Sequence, residues 1–506
     1  MKRVASCGKG LVLVALCVLL GSGSRALLAG PGGGERLAEL EEALGDEEGG
    51  TRRRAVRDLA GLGGRKAWEL VIGALADEKG EVADEAQFQL AGLDEDRLLR
   101  DLMGKAGLGA KDGLIRSRVA EMLGRYAGEL DGIGLLKRIS RRDAEMSETL
   151  LWSVERLALA GRLGGDLEKC AKALGKIAKQ GGEVRVRAQA LCALAALDLG
   201  QVEELLPKLL TAKEHELRVA SLECVEQIGG VMAMEIGSRL RDDEEGSVRL
   251  AALDVIASGG TKKSLLLLLE RLEMEERLRL RVACVEHLQE MTGRKSKMDP
   301  RPWRLWIERL PEDWTRANRV THQAEVGGTA SIAGLPILSD RVCFLIDFSG
   351  SLWYEREGRP ARKGKVDELM NAALPRLDEE TEFNIIPYTG IPHPWREGLV
   401  AASERNIRIA LADFVANRNR GSGNVFDAVL LALRDRSTDR IVILTDGAPT
   451  GGARWKLDLM MPLLVQAARF DRVAYDVIVV DAPPGMRKRW EGLAALTRGR
   501  AVAVEL

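Results

Sequence analysis

The sequence predicts a multidomain chain of two unlike parts, an all-α solenoid followed by an α/β doubly wound domain. Three observations carry this. At 506 residues the chain is too long for one hydrophobic core. An arginine-containing apolar motif recurs at a nearly constant interval through the first part. After Asp340 the apolar pattern switches from a helical period to short alternating runs separated by helical stretches. Apolar residues make up 46% and charged residues 30%, with 75 Lys+Arg against 76 Asp+Glu. That balance supplies no global field to attract nucleic acid or an anionic membrane, so partners must be argued from local sites.

In chain order, the first element is residues 1–29. "MKRVASCGKG" is a basic start, Leu11 to Leu20 is an unbroken apolar run, and Ser24-Arg25-Ala26 offers a small-x-small cleavage site. This predicts a secretory signal and export to the periplasm or the outside, leaving no membrane span in the mature chain. The run is too short for a helix to cross a bilayer of about 30 Å. An uncleaved anchor that borrows Leu27 to Ala29 is the competing reading. Five cysteines follow, Cys170, Cys192, Cys224, Cys284 and Cys343, dispersed among Ala, Val and Leu. They read as small buried residues rather than a disulfide framework or a C-x-x-C metal site.

Residues 35–295 repeat. "VRAQALCALAAL" from Val186, "LRVASLECVEQIGG" from Leu217, "VRLAALDVIASGG" from Val248 and "LRVACVEHLQEMTG" from Leu280 start 31, 31 and 32 residues apart. Weaker copies begin near Arg53, Val82, Ser117 and Thr149. Each places apolar residues on one helix face, as at Leu250, Leu253 and Ile256, and then turns into a second helix such as "SLLLLLERL". One such pair cannot bury its stripe alone, so neighbours must stack into a solenoid. The pattern resembles HEAT repeats. That resemblance implies a right-handed α-solenoid whose groove either binds a protein or only braces the next domain. The repeated arginines are expected to bond helix ends. His215 and His287 read as helix-surface residues.

Residues 296–334 break the period. "DPRPWRLWIERLPEDW" predicts one capping helix whose Trp303 and Trp306 cover the last repeat, and "EVGGTASIAGLP" predicts a Gly-rich linker.

Residues 335–506 alternate strand and helix. Strands are predicted at "RVCFLIDFS", "TEFNIIPY", "DRIVILTDG", "AYDVIVVD" and "RAVAVEL", with an antiparallel edge at "EGLVAAS". Ligands of open parallel sheets collect outside the carboxyl ends of the strands. There the first strand ends in Asp347, with Ser349 and Ser351 at alternate positions, and a later strand ends in Asp446. Hard oxygen donors without His or Cys suit Mg²⁺, Mn²⁺ or Ca²⁺ rather than zinc. Magnesium takes about six oxygens at about 2.1 Å and keeps several waters, so a partner carboxylate could complete the shell.

These residues resemble the von Willebrand factor type A domain with its metal-ion-dependent adhesion site. "SDRVCFLIDFSGSL", "PWREGLV", "NVFDAVLLAL" and "RIVILTDGAPT" fall in that family's order over Leu335 to Leu506. By resemblance Asp347, Ser349 and Ser351 match its Asp-x-Ser-x-Ser element, and Asp446 its Thr-Asp-Gly aspartate. The family's threonine ligand faces Gly423 in Gly421-Ser422-Gly423-Asn424. Ser422, Asn424 or a water is the substitute to consider, and Asp427 is an outer residue of the site.

No G-x-x-x-x-G-K-[ST], exposed nucleophile motif or histidine pair is present, so the chain reads as non-enzymatic. The expected function is binding of an acidic protein partner through the cation, with the solenoid as a second surface. Two alternatives stand beside it: groove binding with a metal-free type A domain, and a non-catalytic subunit of an enzyme or ATP-driven complex.

Overall fold

A computed structural model describes residues 33–93, 95–316, 330–355 and 361–505. The predicted signal segment and residues 317–329 of the predicted linker lie outside them. The chain forms two compact units, Met1–Ile228 and Gly229–Leu506. Together they comprise helix pairs and one α/β doubly wound domain.

In the first unit the leading helices of successive repeats stack in series: Gly49–Leu62, Gly80–Ala91, Gly113–Leu123, Ala144–Leu159, Val184–Ala195 and His215–Ile228. The repeated arginine has a fixed job. Arg52 donates to the carbonyls of Asp46 and Glu47 at 2.8 and 3.2 Å, and Arg116 to those of Ala110 and Lys111 at 2.9 Å each. Arg218 does the same to Ala212 and Lys213 at 2.8 Å each. In every case the acceptors are the residues six and five before the arginine, in the turn that enters its own helix. The guanidinium therefore satisfies carbonyls that no helix bond reaches. Arg52 and Arg116 also pair with the next repeat, through Asp77 and Asp143, at 2.7 Å each. Buried polar side chains link repeats as well: Arg118 donates to Asp84 at 2.7 Å and Gln189 to Glu155 at 2.6 Å, both across 34 residues. Buried polar groups must find partners, so this ladder accepts one register between layers.

The second unit opens with helices α1 (Gly230–Leu240), α2 (Gly246–Ser258), α3 (Lys262–Met274), α4 (Leu278–Thr292) and α5 (Pro300–Ile307). Asp299 caps α5, and Trp303 and Ile307 are buried against Leu265, Leu268, Leu272 and Leu288. The tryptophan lid is thus Trp303, with Trp306 packed at its margin. Arg249 of α2 repeats the arginine rule on Asp243 and Glu244, at 2.8 and 3.0 Å, and pairs with Glu275 at 3.2 Å.

A short hairpin, Ser331–Ile332 with Leu335–Pro336, leads into the sheet and places Ile332 in its core, ahead of Leu335. The strands are β1 (Arg341–Asp347), β2 (Glu382–Tyr388), β3 (Val400–Ala401), β4 (Arg440–Thr445), β5 (Ala474–Val480) and β6 (Ala501–Val504). Their order is β6-β5-β4-β1-β2-β3, parallel except for the short β3 edge. Helices α6 (Arg362–Ala373), α7 (Glu404–Ala416), α8 (Val425–Ala432), α9 (Leu457–Ala468) and α10 (Pro484–Leu496) complete the domain. Along β1, Val342, Phe344 and Ile346 enter one core while Cys343 and Leu345 enter the other, as a strand buried on both faces requires.

Charged pairs join α2 and α4 to the amino-end side of this sheet. Asp254 of α2 accepts from Arg472, from Arg498 at 2.5 Å and from His287 Nε2 at 3.0 Å. Arg500 pairs with Glu286 at 3.1 Å, and Arg277 with Asp439 at 2.7 Å. His287 is therefore buried at this junction, not on a helix surface as its spacing predicted. A helical period marks which face is buried but not what a later domain packs onto it. Arg472 and Arg498 both have left-handed backbones, φ 58° and 57°, uncommon for residues with side chains.

Replacing Arg249 by Ala removes two carbonyl contacts and a partly buried ion pair. Denaturant unfolding of the full chain should show a loss of about 1–3 kcal/mol, against no more than about 0.5 for exposed Arg54→Ala. Equal effects would mean the arginines do not secure the repeats.

Candidate metal centre

The carboxyl end of β1 is built by its neighbours. Phe348 N donates to the Tyr388 carbonyl at 2.9 Å, continuing the β1–β2 register, and the chain then turns. Ser349 N donates back to Asp347 Oδ1 at 2.8 Å, and Gly350 N to the Gly421 carbonyl at 3.0 Å. This turn sets the Ser349 and Ser351 hydroxyls 3.0 Å apart. Strand β4, paired with β1 through Ile346 and Leu444, brings Thr445 and Asp446 to the same edge. Thr445 Oγ1 donates to Asp347 Oδ2 at 3.2 Å.

The Gly421–Asn424 loop arrives from the other side. A side chain at Gly423 would start 3.3 and 3.5 Å from the two Asp347 oxygens, so this residue stands beside the carboxylate. Its amide donates to Thr450 Oγ1 at 2.7 Å and its carbonyl accepts from Thr450 N at 3.0 Å. Ser422 Oγ lies against Gly390 and Gly451, where any side chain on Gly451 would collide with it. Asn424 caps α8: its Oδ1 accepts from Asp427 N at 3.2 Å, while Nδ2 donates to the Gly390 carbonyl at 3.0 Å and to Asp427 at 2.6 Å. The side chains of Asn424 and Asp427 are thereby spent on the helix start.

Asp347 is 3% exposed, and its carboxyl is pushed up to about 6. Burial is the main cause and the charge of Asp446 the second, opposed by the bonds from Ser349 and Thr445. Asp446 Oδ2 accepts from Arg362 Nη1 at 3.2 Å, and the same guanidinium meets Asp481 through Nε at 2.8 Å. Thr445, Thr450 and Arg362 were not singled out by the sequence. The first two had a trace, as hydroxyls flanking the strand-end aspartate; Arg362 had none, being 84 residues from its partner.

The donor set fits a hard divalent cation. Two hydroxyls in contact and a buried carboxylate that a second carboxylate pushes toward protonation are what a missing positive charge would correct. Among the described residues no three His, Cys, Asp or Glu side chains form a metal-holding cluster, so a cation here would have to draw on the two serines.

No known family profile matches the chain. Over 130 residues it is 33% identical to inter-alpha-trypsin inhibitor heavy chain 4 of Mus musculus, covering 23% of this chain and 13% of that protein. Over 126 residues it is 30% identical to inter-alpha-trypsin inhibitor heavy chain H3 of Homo sapiens, covering 22% and 14%. The chain thus spans about one seventh of these relatives' length. Among solved structures it resembles the SpRpn10 VWA domain, 15% identical over 32% of this chain and 87% of that one, with a TM-score of 0.24. The curated relatives support a von Willebrand factor type A domain in this protein. No described helix is long and apolar enough to cross a membrane.

The raised Asp347 carboxyl has a signed consequence. Its folded value lies above the ordinary one, so the charged form costs stability at pH 7, and the cost disappears as pH falls toward 4. In EDTA, Asp347→Asn should stabilise the chain at pH 7 by about 1–3 kcal/mol in chemical denaturation. That advantage should vanish by pH 4; a constant or growing advantage would contradict the assignment.

Proposed function

We propose that this chain is an exported, non-enzymatic protein-binding scaffold that engages its partner through a divalent cation on the type A domain. The observation that carries the reading is the meeting of Asp347, the Ser349–Ser351 hydroxyl pair and Asp446 at one sheet edge. Under it, Asp347, Ser349 and Ser351 hold Mg²⁺, or Mn²⁺ or Ca²⁺, and Asp446 joins directly or through water. Bound there, the cation supplies a positive centre with exchangeable positions for an acidic side chain of the partner. A water takes the threonine's place beside Gly423, because the Ser422 hydroxyl lies against Gly390 and Gly451 and the Asn424 side chain caps α8. Asp427 acts only through Asn424. The segments 35–295, 296–334 and 335–506 serve as solenoid, cap with linker, and type A domain, and the solenoid offers the second interaction surface.

The surroundings of the edge support protein binding. Tyr354, 68% exposed, lies against Gly350, and Ile391, also 68% exposed, follows Gly390. Arg420 is exposed and stacks its guanidinium 4.7 Å above the Trp353 ring. Apolar side chains and a guanidinium beside an acidic sheet edge suit a segment that carries a carboxylate among apolar residues. Similarity to the inter-alpha-trypsin inhibitor heavy chains supports a role in protein association over the shared segment.

Calorimetric titration of the full chain with Mg²⁺ and Mn²⁺ tests this. One ion per chain should bind, and Asp347→Ala should abolish the heat without loss of helical signal. Gly423→Thr should tighten binding about tenfold by returning a hydroxyl donor. Absence of uptake by the wild-type chain would move the function to the helix repeats.

A further inference from the structure

Helix α6 starts against the usual rules. Its first two residues are Arg362 and Lys363, both cations at the positive end of a helix, where acidic residues are favoured. Neither a capping side chain nor an acidic residue is present in that turn. Both cations are nevertheless buried, 7% and 5% exposed. Lys363 is held by Asp367 and by the faces of Phe348, Trp353 and Phe414, with Nζ 5.1, 5.5 and 4.8 Å from the ring centroids. Phe348 lies between Asp347 and Ser349, so this contact ties α6 to the candidate cation loop. Arg362 is held by Asp446, at the end of β4, and by Asp481, just past β5 with a left-handed φ of 46°. Sequences that break a local rule at a buried position commonly do so for a site.

We propose that Arg362 is a positioning residue that competes with the divalent cation for Asp446 and so weakens metal binding. The inference rests on the cation reading above. One guanidinium sits between two carboxylates that are each little more than a tenth exposed, and it occupies one oxygen of Asp446, the second carboxylate of the candidate site. A divalent ion that draws on Asp446 must share it with a fixed positive charge in a poorly solvated place, where like charges repel more strongly than in water. The missing hydroxyl at Gly423 acts in the same direction. Together they give a site whose negative charge is partly offset at rest and which holds its ion weakly. An acidic partner group then adds the negative charge that retention of the ion requires, so cation and partner bind with positive coupling.

The test is Mg²⁺ binding by the full chain in wild-type form and as Arg362→Met, Arg362→Gln and Arg362→Lys, with the thermal midpoint in EDTA and in Mg²⁺ as second readout. Removing the charge in the Met and Gln forms should tighten Mg²⁺ binding about tenfold or more, and Lys should stay near wild type. The Met and Gln forms should melt lower in EDTA and recover more in Mg²⁺ than wild type does. Gln keeps a donor for Asp446, so it carries the test if Met fails to fold. Wild-type uptake with unchanged or weaker binding in the neutral variants overturns the role of Arg362 and leaves the cation site standing. Uptake by the neutral variants alone supports the competition in its strongest form. No uptake by any of the four proteins overturns the cation site and this inference with it.

Discussion

A carboxylate buried at the tip of the central strand must be given a partner, and the upper edge of the α/β domain is arranged around that constraint. Asp347 cannot retreat to water, because β2 and β4 flank its strand and both faces of the sheet are covered. The Ser349 amide and the Thr445 hydroxyl meet its oxygens, and Gly423 leaves room beside them. These contacts reduce the cost of burial without removing it, since neutral donors do not replace a counter-charge. On the proposed reading, a cation at this edge supplies that counter-charge.

The two ends of the same sheet solve opposite problems. At the carboxyl end, the carboxylates of Asp347, Asp446 and Asp481 outnumber the resident cation Arg362. At the amino end, Arg472 and Arg498 meet Asp254 of α2, Arg500 meets Glu286 of α4, and Asp439 meets Arg277 at the start of α4. Buried pairs of this kind add little net stability, yet breaking one strands its partner. The junction therefore works as a specific seat for the domain, which leaves the opposite edge free for a partner. It also explains why the compact unit begins at Gly229, well before the first strand.

Much of this was legible in the sequence because it is periodic or local. The 31-residue spacing exposed the repeats, and the arginines within it proved to bond helix-entry carbonyls as their position suggested. Short uninterrupted runs such as "RVCFLID", alternating with helical stretches, read as strands buried on both faces, and the alternation of Asp347, Ser349 and Ser351 set three oxygens on one turn. What stayed hidden depends on contacts distant in sequence. Nothing in the local "VEHLQE" spacing marks His287 for Asp254, since the arginines that share that carboxylate lie some two hundred residues later. Arg362 is equally silent until the fold brings it to Asp446 at the end of β4. Asn424 and Asp427 show the reverse case, polar residues near the site whose side chains are consumed by capping α8.

The central claim is that oxygens of Asp347, Ser349 and Ser351 share one divalent ion at the carboxyl edge of β1. Crystals of the full chain grown with Mn²⁺ and measured at the manganese absorption edge test it most directly. The account predicts one anomalous peak at about 2.2 Å from those oxygens, with Asp446 next to it or one water away. A map with no peak there, or with manganese only at surface carboxylates, would contradict it.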